Sequence, residues 1–167
     1  MIPGLSIETL LTVHVAVSLI GIATGLVAMP ALAAGRWLGG WQGAFLITTA
    51  LTSVTGFLFP FSGVTPAFLF GAISMVALAV TAATSPFRAH HTAAGIAYAV
   101  AATLALYLNL FVLIVQSFQK VPALQPLAPI QSELPFVISQ IVLLLVALVI
   151  GAGAVLKARL GRLNSLP

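Results

Sequence analysis

Cysteine is absent from the 167-residue chain, and charge is nearly so. Without thiols there is no disulfide, no thiolate-ligated zinc, no iron–sulfur cluster and no cysteine nucleophile. The only acidic residues are Glu8 and Glu133, against six Lys and Arg. Those eight charged side chains (6 + 2) are 5% of the sequence, whereas a soluble domain carries roughly 25%. So few charges cannot coat a water-soluble globule of this length, so lipid must solvate most of it. Catalytic motifs are missing too: there is no His-Glu-x-x-His, no Gly-x-Ser-x-Gly, no phosphate loop and no acidic pair inside an apolar segment. The same lack of an intramembrane carboxylate, with no clear internal repeat, argues against a proton-coupled carrier.

What is present is apolar length. Hydrophobic residues make up 61% of the chain and mean hydropathy is +1.22. A bilayer core about 30 Å thick needs about 20 helical residues. Five segments approach or exceed that length, at 10–33, 41–59, 66–84, 93–116 and 135–156. Gly, Pro and charge interrupt them at Gly35–Gly40, Pro60–Thr65, Ser85–Thr92 and Ser117–Leu134. The expected fold class is therefore an all-α membrane protein, a single transmembrane domain over 1–167 made of a bundle of about five helices. Ala31-Leu32-Ala33 resembles a signal-peptidase site. However, no basic residue precedes the first apolar run and Glu8 stands there instead, so the expectation is a retained first helix.

The basic residues set an orientation. With five spans, Arg36, Arg88, Lys157, Arg159 and Arg162 share one side and Lys120 alone lies on the other. The positive-inside rule then places the N-terminus outside and the C-terminus inside, as in a cell inner (cytoplasmic) membrane. No basic patch with interleaved aromatics exists, so the +4 charge does not point to nucleic acid. Ser18, Gly21 and Gly25 on the first helix, and Gly71 and Ser74 on the third, recur at helical spacing and predict close helix packing. The loop 117–134 holds Pro122, Pro126 and Pro129 among apolar residues and is expected to lie against the outer surface.

Polar side chains within the apolar spans carry the functional question. His14, Thr52, Thr55, Tyr107, Asn109 and Gln140 all fall in the outer half under this orientation, His14, Thr55 and Gln140 at a depth of roughly 8 Å. They admit two readings. They hydrogen-bond one another and the helix carbonyls, or they line a ligand-binding cavity for a lipophilic molecule such as a quinone. Haem is a poor fit, because His14 lies near the outer face and His90 and His91 near the inner one, too far apart to share an iron. No cofactor is predicted, and quinone and haem are the two kept for comparison; no metal-binding or catalytic residue is assigned.

Three stretches carry a likeness: Thr48-Thr49-Ala50-Leu51-Thr52-Ser53-Val54-Thr55-Gly56-Phe57-Leu58-Phe59-Pro60; Leu106 to Val112 running on to Gln119-Lys120-Val121-Pro122-Ala123-Leu124; and Gln131-Ser132-Glu133. In these the chain resembles an uncharacterised family of small bacterial integral membrane proteins with no assigned activity. That family carries histidine where this chain has Ser62 and Phe68, which the resemblance implies is a reduced polar cluster. The sequence-based expectation is a non-enzymatic accessory subunit of a membrane complex, partnered by lipids and by other subunits or copies of itself. A lipophilic-ligand binder is the alternative, and a neutral-solute channel or carrier a weaker one.

Overall fold

The computed structural model describes residues 6–60 and 66–161. Ser62 and Arg162 lie outside the described residues, as does most of the Pro60–Thr65 interruption. Every long element is a helix: α1 (Ile7–Ala33), α2 (Gly39–Phe57), α3 (Pro66–Thr84), α4 (Thr92–Lys120) and α5 (Leu134–Arg159). Short 3-10 turns follow α3 at Ser85–Phe87 and precede α5 at Gln125–Leu127.

Local chemistry explains the helix ends. Ser6 caps α1 by accepting the Thr9 amide at 3.0 Å, and Glu8 in the first turn complements the helix dipole. The other end of α1 closes on Gly35 at φ 83°. There the Gly35 amide donates to the Leu32 carbonyl at 2.9 Å and the Arg36 amide to the Ala31 carbonyl at 2.8 Å. This is a Schellman closure, whose left-handed residue glycine adopts without penalty. Helix α4 runs four residues beyond the expected boundary at Gln116, so the α4–α5 loop begins at Val121 rather than Ser117. Its last turn is anchored by buried Phe118, edge-on to Phe136 of α5 at 5.6 Å. Pro122, rather than Ser117, is what stops it, because the residue before a proline is pushed out of the helical region.

Neighbouring helices alternate in direction. Along α1 and α2, Gly21 lies beside Thr48 and Gly25 beside Phe45, while Gln42 reaches Ala28. Along α4 and α5, Gln140 reaches Phe111 and Gly151 lies against Thr103. Both series descend on one helix as they ascend on the other, which is antiparallel packing. Helix α5 then closes on α1 in parallel: a Cβ added to Gly153 would lie 3.1 Å from the Ala33 Cβ. Contacts thus run α1–α2–α3–α4–α5 and back to α1, with α4 also touching α1 and α2 across the ring. Glu8, Lys120 and Glu133 share one end of the bundle, here the carboxylate end. Arg36, Arg88, Lys157 and Arg159 share the other, the cationic end.

The packed centre favours small residues. Ala99, Ala101, Ala102 and Ala105 on α4, with Ala77 and Ala154, surround Met29, Leu32, Phe45, Tyr98 and Leu106. Small side chains let helix backbones approach closely, which is where dispersion contacts accumulate in a bundle with apolar surroundings. The outside is apolar as well, with Val149 73% exposed, Val76 65% and Ile47 63%.

Among the described residues, four helices are long and apolar enough to cross a membrane: α1, α3 with its following turn, α4 and α5. Helix α2 is not among them. It spans 19 residues without a charge, about 28 Å of helix, so apolarity rather than length separates it from the rest. Its buried stripe is Gln42, Phe45, Thr49 and Ser53, at the three- and four-residue steps of one helix face. Three of those four are polar and point inward, while Ile47, Leu51 and Val54 are exposed.

Candidate functional site

The polar groups of α2 meet partners on α1 and α4. Near the carboxylate end, His14 Nδ1 lies 2.9 Å from Thr55 Oγ1. The Thr55 hydroxyl has one proton and gives it to the Leu51 and Thr52 carbonyls, at 2.8 and 3.0 Å. Its lone pairs are thus left to accept from His14, which assigns the ring proton to Nδ1. Phe59 closes edge-on over the imidazole at 5.5 Å, and His14 Cε1 lies 3.5 Å from where a Cβ on Gly56 would be. Six residues back along α2, Asn109 Nδ2 donates to Thr49 Oγ1 at 3.0 Å, and Thr49 is fully buried.

The expected site residues therefore divide. His14 and Thr55 come together directly. Asn109 joins α2 through Thr49 rather than Thr52, whose buried Oγ1 has no partner. Tyr107 and Gln140 belong elsewhere. Two residues along a helix turn about 200°, so Tyr107 faces away from Asn109, toward α5. Gln140 Nε2 donates to the Phe111 carbonyl at 3.4 Å on that side, and its buried Oε1 has no partner. Tyr107 also lines an apolar crevice with Leu26, Thr103, Leu106, Leu143 and Ile150. Its volume is about 30 Å³, room for a few water molecules at most.

Most remaining hydroxyls are satisfied within their own helix. Ser18, Thr48, Thr81, Thr103, Ser117 and Ser139 each donate to the carbonyl four residues back, at 2.6–2.7 Å. Such bonds remove the cost of a hydroxyl in an apolar setting without needing a second helix. Among the packing residues, a Cβ on Gly25 would come within 2.8 Å of Leu106 and Phe45, and one on Gly21 within 3.0 Å of Thr48. Gly71 lies against the Phe57 ring, and Ser74 is buried.

At the cationic end lies a network that sequence reasoning missed. Tyr98, fully buried on α4, donates its hydroxyl to Gln42 Oε1 at 2.8 Å. Gln42 in turn donates from Nε2 to the Ala28 carbonyl at 3.1 Å. Trp37, in the α1–α2 turn, packs edge-on against the Tyr98 ring at 5.3 Å. On the Trp37 face sits the Arg88 guanidinium, 3.4 Å from the ring centroid, while Arg88 Nη1 donates to the Ser85 carbonyl. Arg88 Nε is buried without a partner. Burial lowers the Arg88 guanidinium from its ordinary value and the nearby Tyr98 raises it, but an arginine so placed keeps its charge. The signal for this network was a lone tyrosine in the alanine-rich run Ala93–Ala102 together with a glutamine just inside an apolar segment. Both sit near segment ends, where polar residues usually reach water.

The α4–α5 loop is ordered by its own side chains. Gln131, at φ 59°, donates from Nε2 to the Val115 carbonyl at 2.9 Å and accepts from Gln119 at 3.3 Å. The Glu133 carboxylate accepts the amides of Ile130 and Ser132, at 3.3 and 3.0 Å. The two Glu133 bonds hold the segment to itself, and the two Gln131 bonds tie it to α4. No group of three His, Cys, Asp or Glu able to hold a metal ion occurs among the described residues.

No protein-family model, curated protein or solved structure matches the chain.

Proposed function

We propose that the chain is a five-span, non-enzymatic subunit of a larger assembly in the cytoplasmic membrane, with the N-terminus outside and the cationic end inside. The observation that carries this reading is how the polar groups are used. His14, Thr49, Thr55, Asn109, Gln42 and Tyr98 are consumed in joining α2 to α1 and α4. Interhelical hydrogen bonds of that kind stabilise a bundle by about 0.6 kcal/mol each. Helix α2 is included as a span because its polar stripe is turned inward and its outward face is apolar. The charge arrangement, four described cations against none of the carboxylate side chains at one end, supports the orientation. Gentle detergent extraction from native membranes followed by size-exclusion chromatography tests the subunit role. A stable co-purifying membrane protein is the expected result; a lone monomer after chemical cross-linking in intact membranes contradicts it.

A second reading, that the bundle binds a lipophilic molecule with hydrogen-bonding groups, is favoured by two buried orphans. Thr52 Oγ1 and Gln140 Oε1 have no protein partner, and buried polar atoms left unpaired cost about 1–3 kcal/mol each. A bound hydroxyl could donate to Gln140 Oε1, and a bound hydroxyl or carbonyl oxygen could accept from Thr52 Oγ1. Native mass spectrometry with an absorption spectrum discriminates: a retained small molecule supports binding, and a bare protein mass removes it.

A further inference from the structure

Arg88 differs from the other cations at its end of the bundle. A topology-setting arginine is expected to extend its stem and reach water. Arg88 instead sits over the Trp37 ring, and Trp37 is itself held by Tyr98, which is held by Gln42, which is held by the Ala28 carbonyl. One guanidinium nitrogen is spent on the Ser85 carbonyl and Nε is buried and unpaired. The group is therefore fixed in orientation, partly desolvated, and short of acceptors.

Nor does the chain supply a carboxylate side chain to neutralise it. Glu8 and Glu133 are the only two, and both lie at the opposite end, the length of α4 away, about 43 Å. Arg36, in the same turn as Trp37, and Lys157 and Arg159 in the last turn of α5 add like charge at this end. A partly buried cation with no carboxylate side chain beside it is costly, which favours an external anion. The four-span minimum already places this end at a bilayer surface, where the available anions are lipid phosphates. A guanidinium held planar is suited to a phosphate, whose oxygens match its paired donors.

We propose that Arg88, fixed on Trp37, is a binding site for the phosphate of an anionic membrane lipid at the cationic end of the bundle. The site rests on that end meeting a bilayer surface, not on which compartment it faces or on what the protein assembles with. Anionic lipid is enriched on the cytoplasmic side of membranes, which agrees with the proposed orientation without depending on it.

The test uses the full chain in zwitterionic detergent micelles, so it succeeds or fails independently of topology and subunit role. Native mass spectrometry and thermal shift are read against added phosphatidylglycerol, phosphatidylcholine or inorganic phosphate. The expected result is one retained phosphatidylglycerol with about tenfold preference over phosphatidylcholine. That preference is abolished in Arg88→Gln, reduced at least about threefold in Arg88→Lys, which keeps the charge but loses the planar fork, and kept in Arg159→Gln. Three results overturn it: no discrimination by the wild type, undiminished preference in a folded Arg88→Gln, or protection by inorganic phosphate equal to that by lipid. If Arg88→Gln does not fold, Arg88→Lys decides, and an unchanged preference there also overturns the proposal.

Discussion

Gln42 uses both ends of its amide, accepting from Tyr98 and donating to Ala28, so removing either partner leaves a buried polar atom unpaired. Tyr98→Phe is expected to lower unfolding stability in mixed micelles by about 1 kcal/mol, with Gln42→Leu costing somewhat more because it strands both a hydroxyl and a carbonyl. The double variant should cost less than the sum of the two, since the Tyr98–Gln42 bond is counted in each; strict additivity would mean that bond contributes nothing. Steric limits act at the same scale. Gly25→Val places carbon where Leu106 and Phe45 already stand within 2.8 Å, and a loss of about 1–3 kcal/mol is expected; a thermal melt like that of the wild type would contradict it. Much of this was legible in the sequence as need but not as pairing. His14 and Asn109 could be recognised as side chains requiring partners, because neither can satisfy itself on its own helix. That Asn109 would find Thr49 and leave Thr52 unpaired depends on the rotation of α2 against α4, which no local pattern encodes.

At the level of helices, α2 explains why apolarity and span length can part company. Its inward stripe is polar because it binds neighbours, and its outward residues are apolar because they face the surroundings. An averaged hydropathy mixes the two faces, whereas a face-by-face reading separates them. The two kinds of hydroxyl should therefore respond differently to substitution. Thr49→Val removes the acceptor of Asn109 and is expected to cost about 0.6–1.7 kcal/mol. Ser139→Ala removes only a bond to its own helix and should stay within about 0.5 kcal/mol. Equal effects in a denaturant titration would show that the α2–α4 bond is not structural. The end of α1 was readable because Gly35 supplies a local stop visible in the sequence. The last turn of α4 was not, because Phe118 belongs to the helix through its contact with Phe136, a long-range packing term.

For the molecule as a whole, the alternation of five helices and the parallel closure of α5 on α1 separate the carboxylates from the cations. The charge separation could be read from where Lys and Arg interrupt the apolar segments. The ring closure could not, because Gly153 against Ala33 is a meeting of small residues indistinguishable in sequence from any other small-residue pair. The central claim is that α2 crosses the bilayer with the others, and the absence of cysteine makes its two ends separately addressable. Gly40→Cys and Pro60→Cys, placed singly in intact cells and treated with a membrane-impermeant thiol reagent, test it most directly. A Cβ at Gly40 meets nothing within 4 Å, so the substitution there should not disturb the turn. Labelling of Pro60→Cys from outside, with Gly40→Cys reacting only after permeabilisation, is the predicted result; labelling of both from the same side would contradict the five-span account.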